Sequence, residues 1–308
     1  MQATNNILLI RPASFNFNSE TALSNAFQQL PNENELSITQ AAIDEFDAFV
    51  KKIASKGINV TVIDDTKLPP KPDAIFPNNW VSFHANGRVI LYPICAVNRR
   101  AERRMDIIET LKEKFIINEV IDLSYYEKEN RFLESTGSII FDHENKIAYA
   151  CLSPRTDKNI FIEVCALLQY KPIYFTSIDK KGQAIYHTNM MMWIGSRFCA
   201  ICLESITDLQ EKETICDTLR KTGHQIIDIS FEQTNNFAGN MLELSTGDEH
   251  NILALSQTAY ESLHIEQKIT LENLVELVPL PIKTIETIGG GSARCMIAEI
   301  FLKKIVKW

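Results

Sequence analysis

Short apolar runs recur along the chain at nearly constant intervals, each introduced by a polar or glycine-containing stretch. Five segments are alike: IFPNNWVSF, FLESTGSIIF, IYHTNMMMWIG, NFAGNMLEL and GGGSARCMIAEIF. Anchored at Phe76, Leu133, Tyr186, Phe237 and Gly291, they lie 57, 53, 51 and 54 residues apart. Because self-similarity at a fixed period is typical of repeat architectures, the sequence predicts five copies of one structural unit.

The pattern inside each repeat predicts a hairpin, a helix and a further strand. In the first four repeats a second apolar run follows the first, and turn-forming or charged residues separate the two, as in β-hairpins. These second runs are RVILYPI, KIAYACL, RFCAICL and NILALS. Helical spacing of apolar residues is found in segments 41–55, 100–115, 157–170 and 208–222. Single strands are predicted at 58–64, 115–123, 171–176 and 224–230. Alternation of helices and strands places the chain in the α/β class.

The repetition also predicts where a functional pocket lies. No linker rich in Pro or Ser and no block of charge divides the chain, so we expect one pseudo-symmetric domain over residues 1–308. A closed ring of five units would direct equivalent strand starts towards a common centre. The residues that would share this central pocket are Asn78, Asn79, Glu134, His187, Asn189, Asn240, Arg294 and Cys295.

Composition and charge narrow the classes of protein. The chain has 31 Lys and Arg residues against 39 Asp and Glu residues, a net charge of −8, which argues against a nucleic-acid partner because nucleic-acid binding needs a basic field. Seven scattered cysteines indicate a reducing compartment rather than a disulfide framework. The apolar run Ile7–Ile10 is too short for a signal peptide or a membrane span. We therefore expect a soluble cytoplasmic protein without a membrane partner, whose oligomeric state the sequence leaves open.

Cys295 is the candidate nucleophile. It follows the stretch GGGSAR, where glycine would let backbone amides approach a reacting group closely. A neighbouring Arg294 and amides directed at the sulfur would lower the pKa of the thiol towards that of a nucleophile. The alternative is an ordinary buried cysteine, which is how we interpret the other six.

His187 and Glu134 complete the candidate chemistry. A histidine can protonate a leaving group and then accept a proton from water, as covalent catalysis requires. A carboxylate at Glu134 could accept hydrogen bonds from substrate nitrogens or orient the histidine. The alternatives are a structural histidine and a solvated charge at a strand edge. No HxxxH or CxxC spacing and no phosphate-loop pattern GxxxxGK[ST] occurs, so the sequence predicts neither a metal nor a cofactor.

Several motifs together carry a resemblance to a known superfamily. They are LLIRP, FNSETALSNAFQ, FPNNW, NRRAERR, FLESTGS, LSPRT, YHTNMM, NNFAGN and GGGSARCM. The chain resembles, over its whole length, the pentein or guanidino-group-modifying superfamily, which includes arginine deiminases, dimethylarginine hydrolases, amidinotransferases and a citrulline-hydrolase group. FPNNW and HTN are most similar to the citrulline-hydrolase type.

The resemblance implies a five-bladed α/β propeller with the active site on its pseudo-fivefold axis. It implies that Cys295 is the nucleophile, that His187 is the general acid and then the base, and that Glu134 holds substrate nitrogens. LSPRT resembles a family segment in which Arg155 would bind the substrate α-carboxylate. NRRAERR offers Arg99 or Arg100 for the same purpose, although a basic helix start that faces solvent is an equal alternative.

Two departures from the family pattern bear on the substrate. Where deiminases have the aspartates of FxRD and HxD, this chain has Asn79 and Asn189. An amide offers a donor and an acceptor, which suits a neutral ureido group better than a guanidinium cation. We therefore expect a cofactor-free hydrolase of a citrulline-type amino acid, with the oxyanion stabilised by donors near Asn79, Asn189 or Asn240. Arginine deimination, dimethylarginine hydrolysis and amidino transfer remain alternatives, and a non-catalytic binding protein of the same fold is a remote one.

Overall fold

The computed structural model describes residues 1–22, 24–31, 34–247 and 251–306. Within these residues, the strands form five sheets of three strands each. The strands are β1 (Asn6–Arg11), β2 (Asn59–Asp64), β3 (Val81–Phe83), β4 (Arg88–Leu91), β5 (Glu119–Asp122), β6 (Ile140–Asp142), β7 (Ile147–Cys151), β8 (Lys171–Phe175), β9 (Met192–Ile194), β10 (Phe198–Ile201), β11 (Gln225–Asp228), β12 (Leu242–Ser245), β13 (Asn251–Ser256), β14 (Glu276–Leu280) and β15 (Ala298–Glu299).

Helices connect the second and third strands of each sheet and also form short turns around the centre. The α-helices are α1 (Ser19–Ala22), α2 (Glu35–Ala54), α3 (Met105–Lys112), α4 (Ser135–Ser138), α5 (Lys158–Leu168), α6 (Leu209–Lys221), α7 (Phe231–Asn235), α8 (Gln257–Ser262) and α9 (Ile265–Glu272). Turns of 3₁₀ helix cover Pro77–Asn79, Val97–Glu102, Ser124–Glu129, Thr188–Met190 and Leu203–Ser205, and a π-helical turn covers Ile285–Gly289.

Every sheet has the same topology, which confirms the predicted repeat. Two neighbouring strands pair antiparallel, as a hairpin in four of the sheets, and the third strand returns through a helix to pair parallel with the second. Such a parallel return needs a crossover connection, which explains the helix between the second and third strands. The fold is therefore α/β and built from five repeats of hairpin, helix and strand, as expected.

The fifth sheet joins the two ends of the described chain. Its first strand is β15, its second is β1 and its third is β2, so that Ile7 lies opposite Glu299 and Leu8 opposite Ala298. This arrangement explains why the fifth repeat lacks a second apolar run after its GGGSARC segment. The missing run is β1, near the start of the sequence.

The strands differ in burial according to their place in each sheet. The first strands β3, β6 and β9 are buried at every residue, whereas the third strands β2, β5 and β11 are largely exposed or half-buried. The first strands therefore lie innermost. The side chain of Gln2 ties two of them together, because its amide nitrogen donates to the carbonyls of Phe141 (2.9 Å) and Ile194 (3.3 Å).

The predicted helices α5 and α6 begin at aspartates that cap them. Asp157 and Asp208 each accept two backbone N–H bonds from the first turn of their helix, which satisfies donors that a helix start leaves free.

The prediction of one helix over residues 100–115 is wrong. A 3₁₀ turn ends at Glu102 and α3 begins only at Met105. Between them, Arg103 pairs with Glu127 at 2.5 Å and Arg104 donates to the Asp64 carbonyl at 2.8 Å. These tertiary contacts break a segment whose apolar periodicity is helical.

No helix within the described residues is long and apolar enough to cross a membrane.

Candidate active site

The three predicted catalytic side chains lie at the turns that precede the first strands of three different sheets. Glu134 precedes α4 and β6, His187 precedes the 3₁₀ turn before β9, and Cys295 precedes β15. All three are buried, with exposed fractions of 0%, 3% and 4%. Because these first strands are innermost, the turns converge at the centre, as the repeat pattern predicts.

Glu134 and His187 form a hydrogen-bonded pair. The distance from His187 Nε2 to Glu134 Oε2 is 2.7 Å, and Arg155 Nη1 lies 3.5 Å from the same oxygen. The other carboxylate oxygen accepts the backbone N–H of Cys95 at 3.0 Å. Burial alone would raise the pKa of Glu134, but Arg155 and the His187 hydrogen bond outweigh it and hold the pKa well below its usual range. Glu134 is therefore ionised.

The imidazole of His187 is set up as a proton acceptor. An ionised Glu134 can only accept, so Nε2 carries the proton and Nδ1 of a neutral ring keeps its lone pair. Burial lowers the pKa of His187, and the Glu134 contact opposes this effect without reversing it. A neutral imidazole with a free Nδ1 can take a proton from a thiol or from water.

Gly137 allows this close arrangement. A Cβ atom at this position would lie 2.4 Å from Asn79 Nδ2 and 2.9 Å from Cε1 and Nδ1 of His187. Any side chain would therefore displace Asn79, His187 or both.

Cys295 is surrounded by amide groups. Asn240 Nδ2 lies 3.2 Å and Asn189 Nδ2 3.4 Å from Cys295 Sγ, while Asn240 Oδ1 accepts the Cys295 backbone N–H at 3.3 Å. The predicted lowering of the thiol pKa is wrong, because burial raises the pKa of Cys295 and outweighs the hydrogen bonds that oppose it. The thiol of the free protein is therefore protonated at neutral pH.

Arg294 does not lie in this pocket, contrary to the prediction that it binds substrate. Its guanidinium pairs with Glu299 at 2.9 Å and donates to the Ile297 carbonyl at 3.1 Å. It lines a different cavity, together with Gln2, Trp193 and other residues of the inner strands. Although Arg294 and Cys295 are adjacent in the sequence, their side chains lie in different cavities, because the ion pair with Glu299 holds Arg294 away from the Cys295 pocket.

Asn79 is oriented by Arg99. The Nη2 group of Arg99 donates to Asn79 Oδ1 at 3.2 Å, and its fork pairs with Glu102 through two bonds of 2.9 Å. A guanidinium has only donors, so the amide oxygen of Asn79 must face Arg99. Asn79 Nδ2 then lines the pocket with no hydrogen-bond partner among the residues the structure describes.

Asn78 is fully buried next to this group. Its carbonyl accepts a hydrogen bond from Thr136 Oγ1 at 3.2 Å. Its side-chain amide has no partner within the described part of the chain, and it does not line the cavity in front of Cys295. The structure therefore supplies no substrate contact for the predicted binding role of Asn78.

Arg155 lies in the pocket under the segment 17–28, of which Leu23 is outside the described residues. Arg155 Nη2 donates to Ser24 Oγ at 2.5 Å and to the Thr21 carbonyl at 3.2 Å. Asn25 Nδ2 donates to the Gly290 carbonyl at 3.3 Å. We call residues 17–22 and 24–28 the covering segment, because Thr21 and Asn25 close the pocket.

Asp73 is a site residue that the sequence analysis missed. It is buried and lines the pocket, and Asn18 Nδ2 donates to its Oδ2 at 2.7 Å while Arg99 Nε lies 3.6 Å away. Its Oδ1 has no hydrogen-bond partner in the described ranges. Burial raises the pKa of Asp73 despite Arg99 and Asn18. The sequence gives one indication of this role, which is that Asp73 lies three residues before the Phe76 anchor.

The space that remains in the pocket is about 20 Å³. A cavity of this size holds about one water molecule. The described conformation therefore leaves no room for an amino acid beneath the covering segment. Among the described residues, no group of three His, Cys, Asp or Glu side chains is arranged to hold a metal ion.

Comparison with known proteins identifies relatives in sequence family and in fold. Residues 11–302 match the family described as N,N dimethylarginine dimethylhydrolase, eukaryotic. No curated protein sequence matches the chain significantly.

Two solved structures of ArgZ, an arginine dihydrolase of the ornithine-ammonia cycle in cyanobacteria, are similar in fold. The apo structure gives a TM-score of 0.75 at 15% identity and covers 97% of this chain but 41% of ArgZ. The substrate-bound N-terminal domain of ArgZ gives 0.74 at 16% identity, with coverage of 96% and 99%. The present chain thus spans about two fifths of full-length ArgZ and nearly all of its N-terminal domain.

A variant of dimethylarginine dimethylaminohydrolase, solved as an adduct with S-methyl-L-thiocitrulline, is similar as well. Its TM-score is 0.65 at 14% identity, and the match covers 97% of this chain and all of that one. These likenesses confirm the pentein fold that the family resemblance implied, and they agree with the five repeats predicted from the sequence. The family match spans nearly the whole sequence. The chain therefore belongs to the N,N dimethylarginine dimethylhydrolase family, a family of Cys-dependent hydrolases within the guanidino-group-modifying superfamily.

Proposed function

We propose that the protein hydrolyses the terminal ureido group of a citrulline-type amino acid through a covalent intermediate on Cys295. The observation that carries this proposal is the amide donor of Asn79 in the pocket lining, which has no partner among the described residues. Arg99 holds the Oδ1 of Asn79, which leaves its Nδ2 group free for a substrate acceptor, while Asn189 and Asn240 donate to Cys295 Sγ from outside the cavity lining.

Such donors match a ureido carbonyl better than a guanidinium. The carbonyl oxygen of a ureido group accepts hydrogen bonds, and its negative charge grows when the sulfur attacks the carbon, so preorganised donors stabilise the transition state. A guanidinium offers only N–H groups and would oppose the Nδ2 group of Asn79 with a second donor.

The outer end of the pocket suits the head group of an amino acid. Arg155 contacts the covering segment and provides a fork for the α-carboxylate. The free Oδ1 of Asp73, next to Arg99, provides an acceptor for the α-ammonium group. This pairing favours a free α-ammonium group over an acylated one, because the ammonium group brings three donors and a charge to the unpartnered Oδ1 of Asp73, whereas an amide brings one neutral N–H.

The proposed reaction has two steps. The Cys295 sulfur attacks the ureido carbon while the thiol proton passes to His187, which then protonates the departing amine, so that ornithine leaves and the sulfur holds a carbamoyl group. Water gives a proton to His187 and attacks this thiocarbamate, which restores the thiol and releases carbamic acid, the source of ammonia and carbon dioxide. Glu134 orients His187 and stabilises its protonated form.

A second candidate substrate is a guanidino amino acid such as arginine or a methylated arginine. The family match and the ionised Glu134 favour it, and ArgZ is itself an arginine dihydrolase. A cationic group beside Cys295 would also lower the pKa of its thiol, which burial otherwise raises.

Measurement of ammonia release from citrulline, arginine and N-acetylcitrulline, and of dimethylamine release from dimethylarginine, tests the proposal. We expect turnover of citrulline, loss of about 10⁴-fold or more in the Cys295→Ala variant, and normal turnover in the control Cys216→Ala, whose thiol lies on α6 away from the pocket. Turnover of arginine or dimethylarginine without citrulline would establish the second candidate. Full activity of Cys295→Ala would overturn the mechanism for both.

A further inference from the structure

Tyr186 directly precedes His187 in the sequence, and its side chain also contacts other functional groups of the pocket. It is 6% exposed and lines the cavity in front of Cys295. Its ring and its hydroxyl group have different neighbours. The two ends of the side chain can therefore be considered separately.

The ring lies between the substrate-binding arginine and the catalytic histidine. The guanidinium carbon of Arg155 lies 4.9 Å from the ring centroid, and the imidazole centroid of His187 lies 4.6 Å away. Phe27 of the covering segment packs against it edge-on at 6.2 Å. A cation over an aromatic face is held electrostatically, and the effect is larger where water is excluded.

The hydroxyl group reaches the turn that leads to Cys295. Tyr186 Oη donates to the Gly290 carbonyl at 3.0 Å. Gly290 has a φ of +65° and ends the π-helical turn, and a Cβ there would lie 2.6 Å from Asn25 and Gln28. The chain then passes through Ser292, whose carbonyl accepts the Cys295 backbone N–H at 2.9 Å.

We propose that Tyr186 is a positioning residue that acts on both halves of the reaction through opposite ends of its side chain. The ring fixes Arg155, and so determines how tightly the amino-acid head group binds. The hydroxyl group fixes the Gly290 turn, and so determines how accurately Cys295 is aimed at the substrate carbon. This inference rests on the proposed function.

Two variants at this position separate the two roles. In Tyr186→Phe the ring remains and the hydroxyl bond is lost, so we expect kcat to fall by about tenfold with KM changed less than about twofold. In Tyr186→Leu the ring is lost as well, so we expect KM to rise by a further factor of about ten because Arg155 loses its support. Both parameters are measured with the substrate that shows turnover.

Tyr149→Phe is the matched control. Tyr149 is fully buried in β7, and its hydroxyl has no partner in the part of the chain that the structure describes. Its removal therefore changes a core tyrosine in the same way without touching the pocket, and we expect unchanged kcat and KM. Thermal unfolding of all three variants shows how far each remains folded.

A split of the effects between kcat in Tyr186→Phe and KM in Tyr186→Leu supports the proposal, since a general loss of packing would not divide them in this way. Tyr186→Phe with the kinetics of Tyr149→Phe, or proportional changes of kcat and KM in both Tyr186 variants, would overturn it. If Cys295→Ala stays active, the proposed function itself fails. If Cys295→Ala is inactive and only the split is missing, the fault lies with the role of Tyr186.

Discussion

Two consecutive residues, Arg294 and Cys295, point into two different cavities of the propeller. The Cys295 cavity lies where the innermost strands begin, and the Arg294 cavity lies beside later residues of the same strands, such as Trp193 and Glu299. Both cavities have room for about 20 Å³ and both are lined by buried polar side chains. They differ in how these side chains are paired.

In the Arg294 cavity the charges are matched within the chain. Arg294 pairs with Glu299, and Glu243 accepts bonds from Ser196 and Asn251. In the Cys295 cavity, by contrast, Asn79 and Asp73 each keep one polar atom with no partner among the described residues. A buried polar atom without a partner costs free energy, and it is tolerated where a bound molecule supplies the partner. In the Arg294 cavity the unpaired atom among the described residues is the indole Nε1 of Trp193. The comparison therefore teaches that an unpaired carboxylate oxygen beside an unpaired amide, rather than buried charge, marks the proposed substrate pocket.

The largest expected effect is on the stability of the protein and concerns the Arg294 cavity. Arg294→Met leaves Glu299, whose side chain is 10% exposed, without its partner, so we expect the free energy of unfolding to fall by about 3 kcal/mol, the lower end of the range for a buried pair, with kcat of the folded fraction nearly unchanged. The double variant Arg294→Met/Glu299→Leu removes both charges and should recover most of this loss. Denaturant unfolding and steady-state kinetics check both statements. A large loss of kcat in the stable double variant would contradict a purely structural role for the Arg294–Glu299 pair.

The next largest effect is on catalytic activity and concerns the Cys295 cavity. Asn79→Asp replaces the inward donor by a carboxylate, so we expect kcat/KM for citrulline to fall by about 10²-fold, the loss typical of one oxyanion donor. Asn86→Asp adds the same charge at an exposed turn and should change nothing. Activity on arginine is measured alongside. Unchanged citrulline turnover in Asn79→Asp would show that this amide does not contact the reacting group.

The smallest effect concerns the pKa of the thiol. Because burial raises the pKa of Cys295 above the ordinary value of 9.0, the thiolate of the free protein forms only in alkaline solution. The rate of Cys295 alkylation by iodoacetamide, followed by mass spectrometry, should therefore still be rising at pH 9. The profile should be nearly the same in Arg294→Met/Glu299→Leu, since Arg294 acts on this thiol less strongly than burial and the hydrogen bonds of Ser292, Asn240 and Asn189 do. A midpoint below pH 8 in the unliganded protein would refute the raised pKa.

Much of the fold follows from local patterns in the sequence. The repeat period and the alternation of apolar runs predicted the sheets, and helical spacing predicted α2, α5 and α6 to within a few residues, except at the start of α2. These elements bury one face against their own sheet, so local periodicity carries the information. The interruption of the helix at Arg103 and Arg104 depends on Glu127 and Asp64, which are distant in the sequence and invisible to periodicity.

Site residues could be predicted where they lie at corresponding positions of the repeats, and could not be predicted elsewhere. Cys295, His187, Glu134 and the asparagines lie one to four residues after their anchors, and the structure brings them together except for the side chains of Arg294 and Asn78. Asp73 lies before an anchor in a loop, where an alignment of strand starts gives no signal. The direction of the Arg294 side chain depends on Glu299, four residues further along, and sequence proximity to Cys295 misled the prediction.

The pairing of β15 with β1 also has a consequence for synthesis of the chain. During translation β1 emerges early, but the strand that completes its sheet is made nearly 290 residues later. Four blades can form on the ribosome while the fifth still lacks its inner strand, and closing so long a loop is slow relative to local pairing. Cys295 lies directly before that last strand. A chain that lacks β15 therefore has no strand to anchor Cys295 and carries no assembled reactive centre.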